Sequence, residues 1–255
     1  MATNALIAKL EAFSGLTQVD REWLTTISSR TAFVAANTTL ISEGDVPDGV
    51  FLILEGFAYR YKTTPEGRRQ IFGYLVPGDF CDLHVALLEE MDHSIGTLSA
   101  CRVVKIPTRT VVDLTDNHPA LARAFWWCSL VDEATLREWL VNVGQRSAVQ
   151  RIAHLLCELH VRLKAVGLTT EGAFKLPITQ TELADTVGLS NVHVNRSLKV
   201  LRDAGLVTFR GSSVVISNVE HLKHFSSFNP NYLHLVRRGS QSQKLESSPA
   251  KFLSS

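Results

Sequence analysis

The chain has 255 residues, of which 45% are hydrophobic and 20% are charged, and its formal net charge at pH 7 is +1. This composition excludes a chain that is disordered throughout, and the length predicts one large domain or two small ones. No apolar run approaches the roughly 20 residues needed to span a bilayer, and residues 1–10 lack the layout of a signal peptide. We therefore expect a cytoplasmic protein with no membrane partner.

Side chains arranged for catalysis or metal binding are sparse in this sequence. The four cysteines stand at 81, 101, 128 and 157 without a Cys-x-x-Cys or zinc-type spacing, which predicts buried free thiols in a reducing compartment. No Gly-rich phosphate loop, activated serine or paired nucleophile and base stands out. We therefore expect no enzymatic activity, no bound metal and no cofactor.

The N-terminal half predicts helices followed by antiparallel β-structure. Residues 1–27 carry apolar side chains at helical spacing on two faces. These are Leu6, Ile7, Leu10 and Phe13, and then Trp23, Leu24 and Ile27. Between residues 31 and 107, short apolar runs alternate with Gly- and Pro-containing turns, which indicates an antiparallel barrel or sandwich.

Residues 118–143 predict one long helix, because they contain no Gly or Pro after Pro119. Its apolar residues cover more than half of its circumference, which is more than one packing partner requires. They are Leu121, Phe125, Trp126, Trp127, Leu130, Val131, Ala134, Leu140, Val141 and Val143. We expect one stripe to lie on the barrel and a second to meet the same helix of another copy in a two-fold dimer. The alternative is a helix fully buried within one domain.

The strongest motif is a helix-turn-helix within residues 179–204. Thr179-Gln180-Thr181-Glu182 is a capping box that begins one helix, and Gly188 can end it in the left-handed conformation. Ser190 then begins a second helix, which ends at Gly205 and buries apolar residues at helical spacing. These residues are Val194, Leu198 and Leu201. The alternative is two helices packed at a corner without a nucleic-acid role.

Further elements are predicted on both sides of this motif. A helix is expected at 147–166 and a short strand at 176–178. A two-stranded wing is expected at 206–216, with Arg210 in its turn. The segment from residue 228 onward is rich in Ser and Gln, so we expect a flexible tail.

The exposed face of the second helix carries groups suited to duplex DNA. Arg196 can donate a bidentate pair to guanine, Asn191 or Asn195 can pair with adenine, and Val192 can touch a thymine methyl. The remaining residues of this face and of the wing are expected to contact phosphates or to have a second possible role. Ser190, Lys199 and Arg210 fit phosphates, Lys199 is equally well a solvated side chain, and His193 is either a reader or part of local packing. Residues 146–225 hold 10 Lys/Arg against 6 Asp/Glu, whereas residues 1–145 hold 12 against 18, so the basic half is also the half with this motif.

Together these motifs resemble the Crp/Fnr family of bacterial transcription regulators over roughly residues 20–225. The resemblance rests on Glu43-Gly44-Asp45, on residues 51–56, on Pro77-Gly78-Asp79-Phe80 and on residues 178–206. It implies an α+β fold with a jelly-roll-like antiparallel β-roll sensor, a long dimerisation helix and a winged helix-turn-helix. The implied boundaries are 1–117 for the sensor, 118–145 for the helix, 146–227 for the DNA-binding domain and 228–255 for the tail.

The resemblance also implies roles for single residues and partners. Arg196 takes the family's base-reading position, in a dimer that binds a roughly palindromic operator and meets RNA polymerase. Val192 stands where the family often has Glu, so the operator should differ from the best-known family sites. A signal at the β-roll is expected to change how the long helices pack.

The sensor departs from members that bind cyclic AMP. Those members resemble Phe-Gly-Glu-Leu followed by Arg-Ser/Thr-Ala, whereas this chain reads Phe80-Cys81-Asp82-Leu83 and has no Lys or Arg between residues 71 and 101. A buried phosphate without a cation is unfavourable, so we expect no ordinary cyclic AMP sensing. The candidate effector pocket comprises Phe80, Cys81, Asp82, Leu83, Leu136 and Arg137.

Other signals and one other function class remain as alternatives. Iron–sulfur members carry a cysteine cluster near the N-terminus, and this chain has no cysteine before Cys81. Haem would need axial ligands such as His84 or His93 with Cys81, and a cysteine redox switch would use Cys81 or Cys101. A cupin-like barrel that binds a small molecule or metal is the rival function, but it lacks a His-x-His pair.

Overall fold

Two short helices precede the β-structure in the computed structural model of the chain. The residues it describes are 4–11 and 16–235, apart from the side chains of Val85 and Ala86. Helix α1 spans Ala5–Glu11 and helix α2 spans Gln18–Ile27. The predicted helical face of α1 buries Leu6 and Leu10, whereas Phe13 lies outside the described residues.

The strands of the N-terminal half form two four-stranded antiparallel sheets, as the alternating apolar runs and turns predict. The strands are β1 Ala32–Val34, β2 Thr39–Ile41, β3 Gly49–Glu55, β4 Ala58–Thr63, β5 Arg69–Leu75, β6 Phe80–Cys81, β7 Ser94–Thr97 and β8 Cys101–Pro107. One sheet has the order β1-β8-β3-β6 and the other the order β2-β7-β4-β5. A 3-10 turn at Leu83–Ala86 follows β6 and carries the chain towards the long helix.

Helix α4, at Pro119–Gln145, is the predicted long helix, and a separate helix α3 at Thr108–Asn117 comes before it. Pro119 occupies the first turn of α4, where a missing backbone N–H is tolerated. One face of α4 is buried against the β-roll, and a second face is exposed. Leu121, Phe125, Trp127, Val131 and Ala134 are buried, whereas Trp126, Leu130, Leu140 and Val141 are exposed.

The C-terminal half is a bundle of helices around a three-stranded sheet of order β10-β11-β9. Its elements are α5 Ala148–Ala165, β9 Ala173–Lys175, α6 Gln180–Val187, α7 Asn191–Asp203, β10 Val207–Arg210, β11 Ser213–Ile216 and α8 Val219–Ser226. The strand predicted at 176–178 is wrong, since the paired residues are those of β9. Pro177 explains the shift, because proline has no N–H to donate to a strand partner.

The segment after α8 also differs from the expectation of a flexible tail that begins at residue 228. Phe228, Tyr232 and Leu233 are buried, and a 3-10 turn spans Pro230–Leu233. His154 of α5 packs against both Phe228 and Tyr232, with ring centroids 5.0 and 6.1 Å away. The burial of three apolar side chains holds this segment on α5. The rest of the expected tail, residues 236–255, lies outside the described residues.

A buried carboxylate joins the N-terminal helix, the β-roll and the C-terminal bundle. Asp79, in the turn before β6, accepts from Lys9 Nζ at 2.6 Å, from Arg162 Nη2 at 2.6 Å and from the Val76 amide at 2.7 Å. Burial alone would raise the pKa of Asp79, but Lys9 and Arg162 hold it at about 2. We call these three side chains the Asp79 junction.

The Asp79 junction continues into the C-terminal half through Glu158, a fully buried carboxylate of α5. Arg162 Nη1 lies 3.1 Å from Glu158 Oε1, while Trp139 Nε1 and Tyr232 Oη donate to Glu158 Oε2 at 2.8 and 2.9 Å. The long helix, α5 and the C-terminal segment thus share one polar network.

Replacing Asp79 with Asn should destabilise the whole protein. The change removes the negative charge that Lys9 and Arg162 share, and it leaves both cations buried without that partner. We expect the free energy of unfolding, measured by urea denaturation of the full-length chain, to fall by about 3 kcal/mol. Asp116→Asn, at an exposed position of α3, is the control and should change it by less than about 0.5 kcal/mol. Equal stability of the two variants would contradict this account of the junction.

Candidate DNA-binding surface and sensor cavity

Local hydrogen bonds build the helix-turn-helix as the sequence predicts. Thr179 Oγ1 accepts from the Glu182 amide at 3.2 Å, and Glu182 Oε2 accepts from the Thr179 amide at 2.7 Å, so the capping box is complete. Gly188 ends α6 with φ 65° and ψ 42°, a left-handed conformation in which most side chains are strained. The chain therefore turns sharply between α6 and α7.

Helix α7, the candidate recognition helix, begins at the Ser190 cap. Ser190 Oγ accepts from the His193 amide at 3.4 Å. The predicted apolar residues Val194, Leu198 and Leu201 are buried against the rest of the bundle. This packing fixes which face of α7 points outward.

All eight residues predicted to bind DNA are exposed. They are Ser190, Asn191, Val192, His193, Asn195, Arg196 and Lys199 on or before α7, and Arg210 at the end of β10. Across the described ranges, no ion pair engages Arg196, Lys199 or Arg210, so their charges face solvent. Asn191 Nδ2 lies 3.4 Å from Thr181 Oγ1, and Ser190 Oγ lies 2.9 Å from His193 Nδ1.

The β-roll and the long helix enclose a cavity of about 330 Å³, which we call the sensor cavity. Its walls include four of the six residues predicted for an effector pocket, namely Phe80, Asp82, Leu83 and Leu136. The other two lie elsewhere. Cys81 points into the core of the β-roll, and Arg137 lies on the exposed side of α4 in an ion pair with Glu133.

A buried arginine lines the sensor cavity, although the sequence has no Lys or Arg between residues 71 and 101. Arg60 comes from β4, on the opposite sheet from β6. Its Nε lies 3.0 Å from Asp82 Oδ1, and its Nη2 lies 2.9 Å from Asp132 Oδ2 and donates to the Phe80 carbonyl at 3.1 Å. Two carboxylates therefore neutralise the guanidinium.

The two histidines considered as haem ligands are arranged differently from each other. Both ring nitrogens of His93 face carboxylates, with Nε2 2.9 Å from Asp82 Oδ2 and Nδ1 2.5 Å from Asp92 Oδ1. Burial opposes a charge on His93, but these carboxylates raise its pKa, while Arg60 and His93 hold the pKa of Asp82 at about 2. His84 is half exposed. In residues 4–11 and 16–235, no three His, Cys, Asp or Glu side chains converge as a metal site.

The four cysteines are buried and free, as predicted. Burial raises the pKa of Cys81 and of Cys101 above the ordinary thiol value. A thiol that resists ionisation and is shielded from solvent is a poor redox sensor. None of the described helices combines the length and apolar character needed to cross a bilayer.

Comparisons with known proteins match both halves of the chain. A cyclic nucleotide-binding domain model matches residues 32–118, and a Crp-like helix-turn-helix domain model matches residues 150–225. The transcriptional activator protein FnrL of Cereibacter sphaeroides is 30% identical over 185 residues, which cover 71% of this chain and 73% of that protein. The chain belongs to the Crp/Fnr family of transcription regulators.

A second relative and a solved structure are also similar to most of the chain, the structure in its fold. The nitrogen fixation regulation protein FixK of Bradyrhizobium diazoefficiens is 28% identical over 179 residues, 70% of this chain and 74% of that protein. The solved structure of FixK2 from Bradyrhizobium japonicum has a TM-score of 0.69 at 21% identity and covers 76% of this chain and 96% of that one. The predicted α+β fold and the role as a Crp/Fnr transcription regulator are confirmed, and the cupin-like alternative finds no support.

Proposed function

We propose that this Crp/Fnr regulator binds duplex DNA as a two-fold dimer and reads a roughly palindromic operator through α7. The observation that carries the proposal is the polar face of α7, which is exposed and holds a guanidinium without an ion-pair partner in the described part of the chain. Two such helices about 34 Å apart would enter successive major grooves.

Different residues on this surface serve sequence reading and positioning. Arg196 lies within the first turns of α7, where side chains reach base edges, and its fork matches the O6 and N7 atoms of guanine. Asn191 or Asn195 is the adenine reader, and Val192 meets a thymine methyl. Ser190, Lys199 and the wing residue Arg210 bind phosphates, which set register without reading sequence.

The second copy is expected to cover the exposed apolar face of α4. Trp126, Leu130, Leu140 and Val141 form this face, and the described parts of the chain leave it uncovered. An apolar stripe of this size on one side of a helix is typical of a self-complementary contact between identical chains. The helix then sets the distance between the two recognition helices.

The sensor cavity is the place where a signal would act, and we propose that the signal is not cyclic AMP. Lys9, Arg60 and Lys62 line the cavity, and carboxylates already pair with each of them: Asp79 with Lys9, Glu43 with Lys62, and Asp82 and Asp132 with Arg60. A cyclic phosphate would have to displace a carboxylate from one of these cations. It would then lie close to the displaced carboxylate, and like-charge repulsion opposes that arrangement. An uncharged or cationic effector meets no such repulsion.

Location, partner and activity follow from this role. Operator binding requires access to DNA and to RNA polymerase, which the family resemblance implies as a partner, and it favours a cytoplasmic protein. Regulation by binding needs no catalytic group, so we propose that the chain is not an enzyme.

Two arginine substitutions test the assignment of base and phosphate contacts. Arg196→Ala should relax the preference at one base pair of each half-site by about 1–3 kcal/mol, because a bidentate base contact is lost. Arg210→Ala should weaken binding to all sequences alike and reduce the salt dependence of the affinity. The measurement is selection from random duplexes followed by titration at stated salt. Equal, sequence-independent losses in both variants would contradict the assignment.

A charge on the exposed face of α4 should separate the proposed dimer. Leu140→Glu places a carboxylate where an apolar contact is expected, so sedimentation should report a monomer. Val46→Glu is the matched control, because Val46 lies in the β-roll and both side chains are 76% exposed. A monomeric unchanged protein, or a dimer that persists in Leu140→Glu, would contradict the proposed interface.

Calorimetric titration tests the exclusion of cyclic AMP. We expect no binding heat at ligand concentrations up to about 1 mM, which corresponds to an affinity weaker than about 4 kcal/mol. Arg60→Ala should give the same flat titration. Micromolar binding that disappears in Arg60→Ala would show that the arginine is available to a phosphate.

A further inference from the structure

The sensor and the helix-turn-helix touch directly through β5 and α6, and the four residues that make the contact, Arg69, Tyr74, Asp185 and Thr186, line neither the sensor cavity nor the exposed face of α7. At the edge of this contact, Arg69 of β5 faces Asp185 of α6. Arg69 Nε donates to Asp185 Oδ2 at 2.8 Å, and Nη2 lies 2.8 Å from the same oxygen. Both side chains are largely shielded from solvent.

Arg69 is held in place by its own sheet, independently of α6. Its Nη1 donates to the Tyr59 hydroxyl at 3.0 Å, and its guanidinium carbon lies 5.4 and 6.0 Å from the ring centroids of Tyr59 and Tyr61. The aromatic rings of β4 therefore orient the guanidinium before Asp185 binds it. A preorganised partner loses less side-chain entropy when the contact forms.

The centre of the contact consists of buried hydrogen bonds to Thr186. Thr186 Oγ1 uses its proton on the Glu182 carbonyl, so the Tyr74 hydroxyl is the donor in the 2.5 Å contact between Tyr74 and Thr186. Gln70 Nε2 donates to the Thr186 carbonyl at 3.1 Å. That carbonyl belongs to the last turn of α6, where helical partners are lacking, so the sensor supplies part of the helix's C-terminal cap.

These bonds hold α6 through residues that are not part of the DNA-binding face. The outward residues of α7, such as Asn195 and Arg196, stay exposed while α6 is held. The contact therefore does not cover the DNA-binding surface, and it fixes the direction in which that surface points.

We propose that Arg69, Tyr74, Asp185 and Thr186 are positioning residues for operator binding, which set the angle between the DNA-binding domain and the sensor. The proposal rests on the dimeric DNA-binding function above. In a dimer, the angle decides whether both α7 helices reach successive major grooves at once, whereas one domain on one half-site is indifferent to it.

The test compares a palindromic site with a single half-site. The probes are the duplex that the full-length protein selects from random DNA and the same duplex with one half scrambled. Arg69→Glu and Asp185→Arg should each lower the affinity for the palindrome about tenfold relative to the half-site, because a freed domain must be ordered on binding. The double variant, with the pair reversed, should regain most of the loss.

Two further variants and one further measurement isolate the effect of the contact on the ratio of the two affinities. Arg68→Glu makes the same charge change at the adjacent exposed residue and should leave the ratio of the two affinities unchanged. Tyr74→Phe removes only the hydroxyl and should lower the ratio in the same direction as Arg69→Glu. Thermal unfolding of each variant checks that the protein remains folded at the assay temperature.

The outcomes separate this proposal from the proposed function. An unchanged ratio in Arg69→Glu, a loss shared equally by palindrome and half-site, or no recovery in the reversed pair would overturn the positioning role. A rise in palindrome affinity would also overturn it, since the contact would then restrain binding. If the unchanged protein selects no duplex at all, the DNA-binding function itself fails.

Discussion

The carboxylate of Asp79 is the constraint on which the arrangement of the molecule depends. It lies in a turn of the β-roll, yet its two cationic partners come from helix α1 and from helix α5. A buried carboxylate without partners is strongly unfavourable, so the three elements must stay together for the turn to keep its charge. Arg162 also pairs with Glu158, which accepts hydrogen bonds from Trp139 of the long helix and from Tyr232 of the C-terminal segment.

The same requirement that buried charges be paired shapes the sensor cavity. Arg60 would be a suitable phosphate ligand if it were free, because it is buried and lines a cavity of ligand size. Instead, Asp82 from the β-roll and Asp132 from α4 neutralise its charge. Because Arg60 pairs with one carboxylate on each side, it links the β-roll to the long helix. The group that could recognise an anion therefore serves as a cross-link.

Features encoded over a few residues were predictable from the sequence, and those that depend on distant strands were not. The capping box at Thr179, the left-handed Gly188 and the buried positions of α7 follow from local hydrogen bonding and helical spacing. The sequence did not indicate that Arg60 lines the cavity, because this residue lies on β4 and reaches the cavity only when the two sheets stack. The burial of Phe228 and Tyr232 could not be predicted for a similar reason. The segment from residue 228 onward is rich in Ser and Gln, and its own sequence does not show that α5 covers these two side chains.

The long helix connects the sensor cavity to the Asp79 junction over a short distance. Asp132, which binds Arg60, and Trp139, which binds Glu158, are two turns apart on α4, or about 10 Å along the helix axis. An effector that separated Asp132 from Arg60 would remove one tie between α4 and the β-roll at one end of this span. Trp139 would have to follow any rotation of the rigid helix, and its indole would leave or press on Glu158. The cavity and the anchor of the DNA-binding domain are thus joined by one helix and two carboxylates, Asp132 and the buried Glu158, which is a coupling route that needs no movement of the β-roll itself.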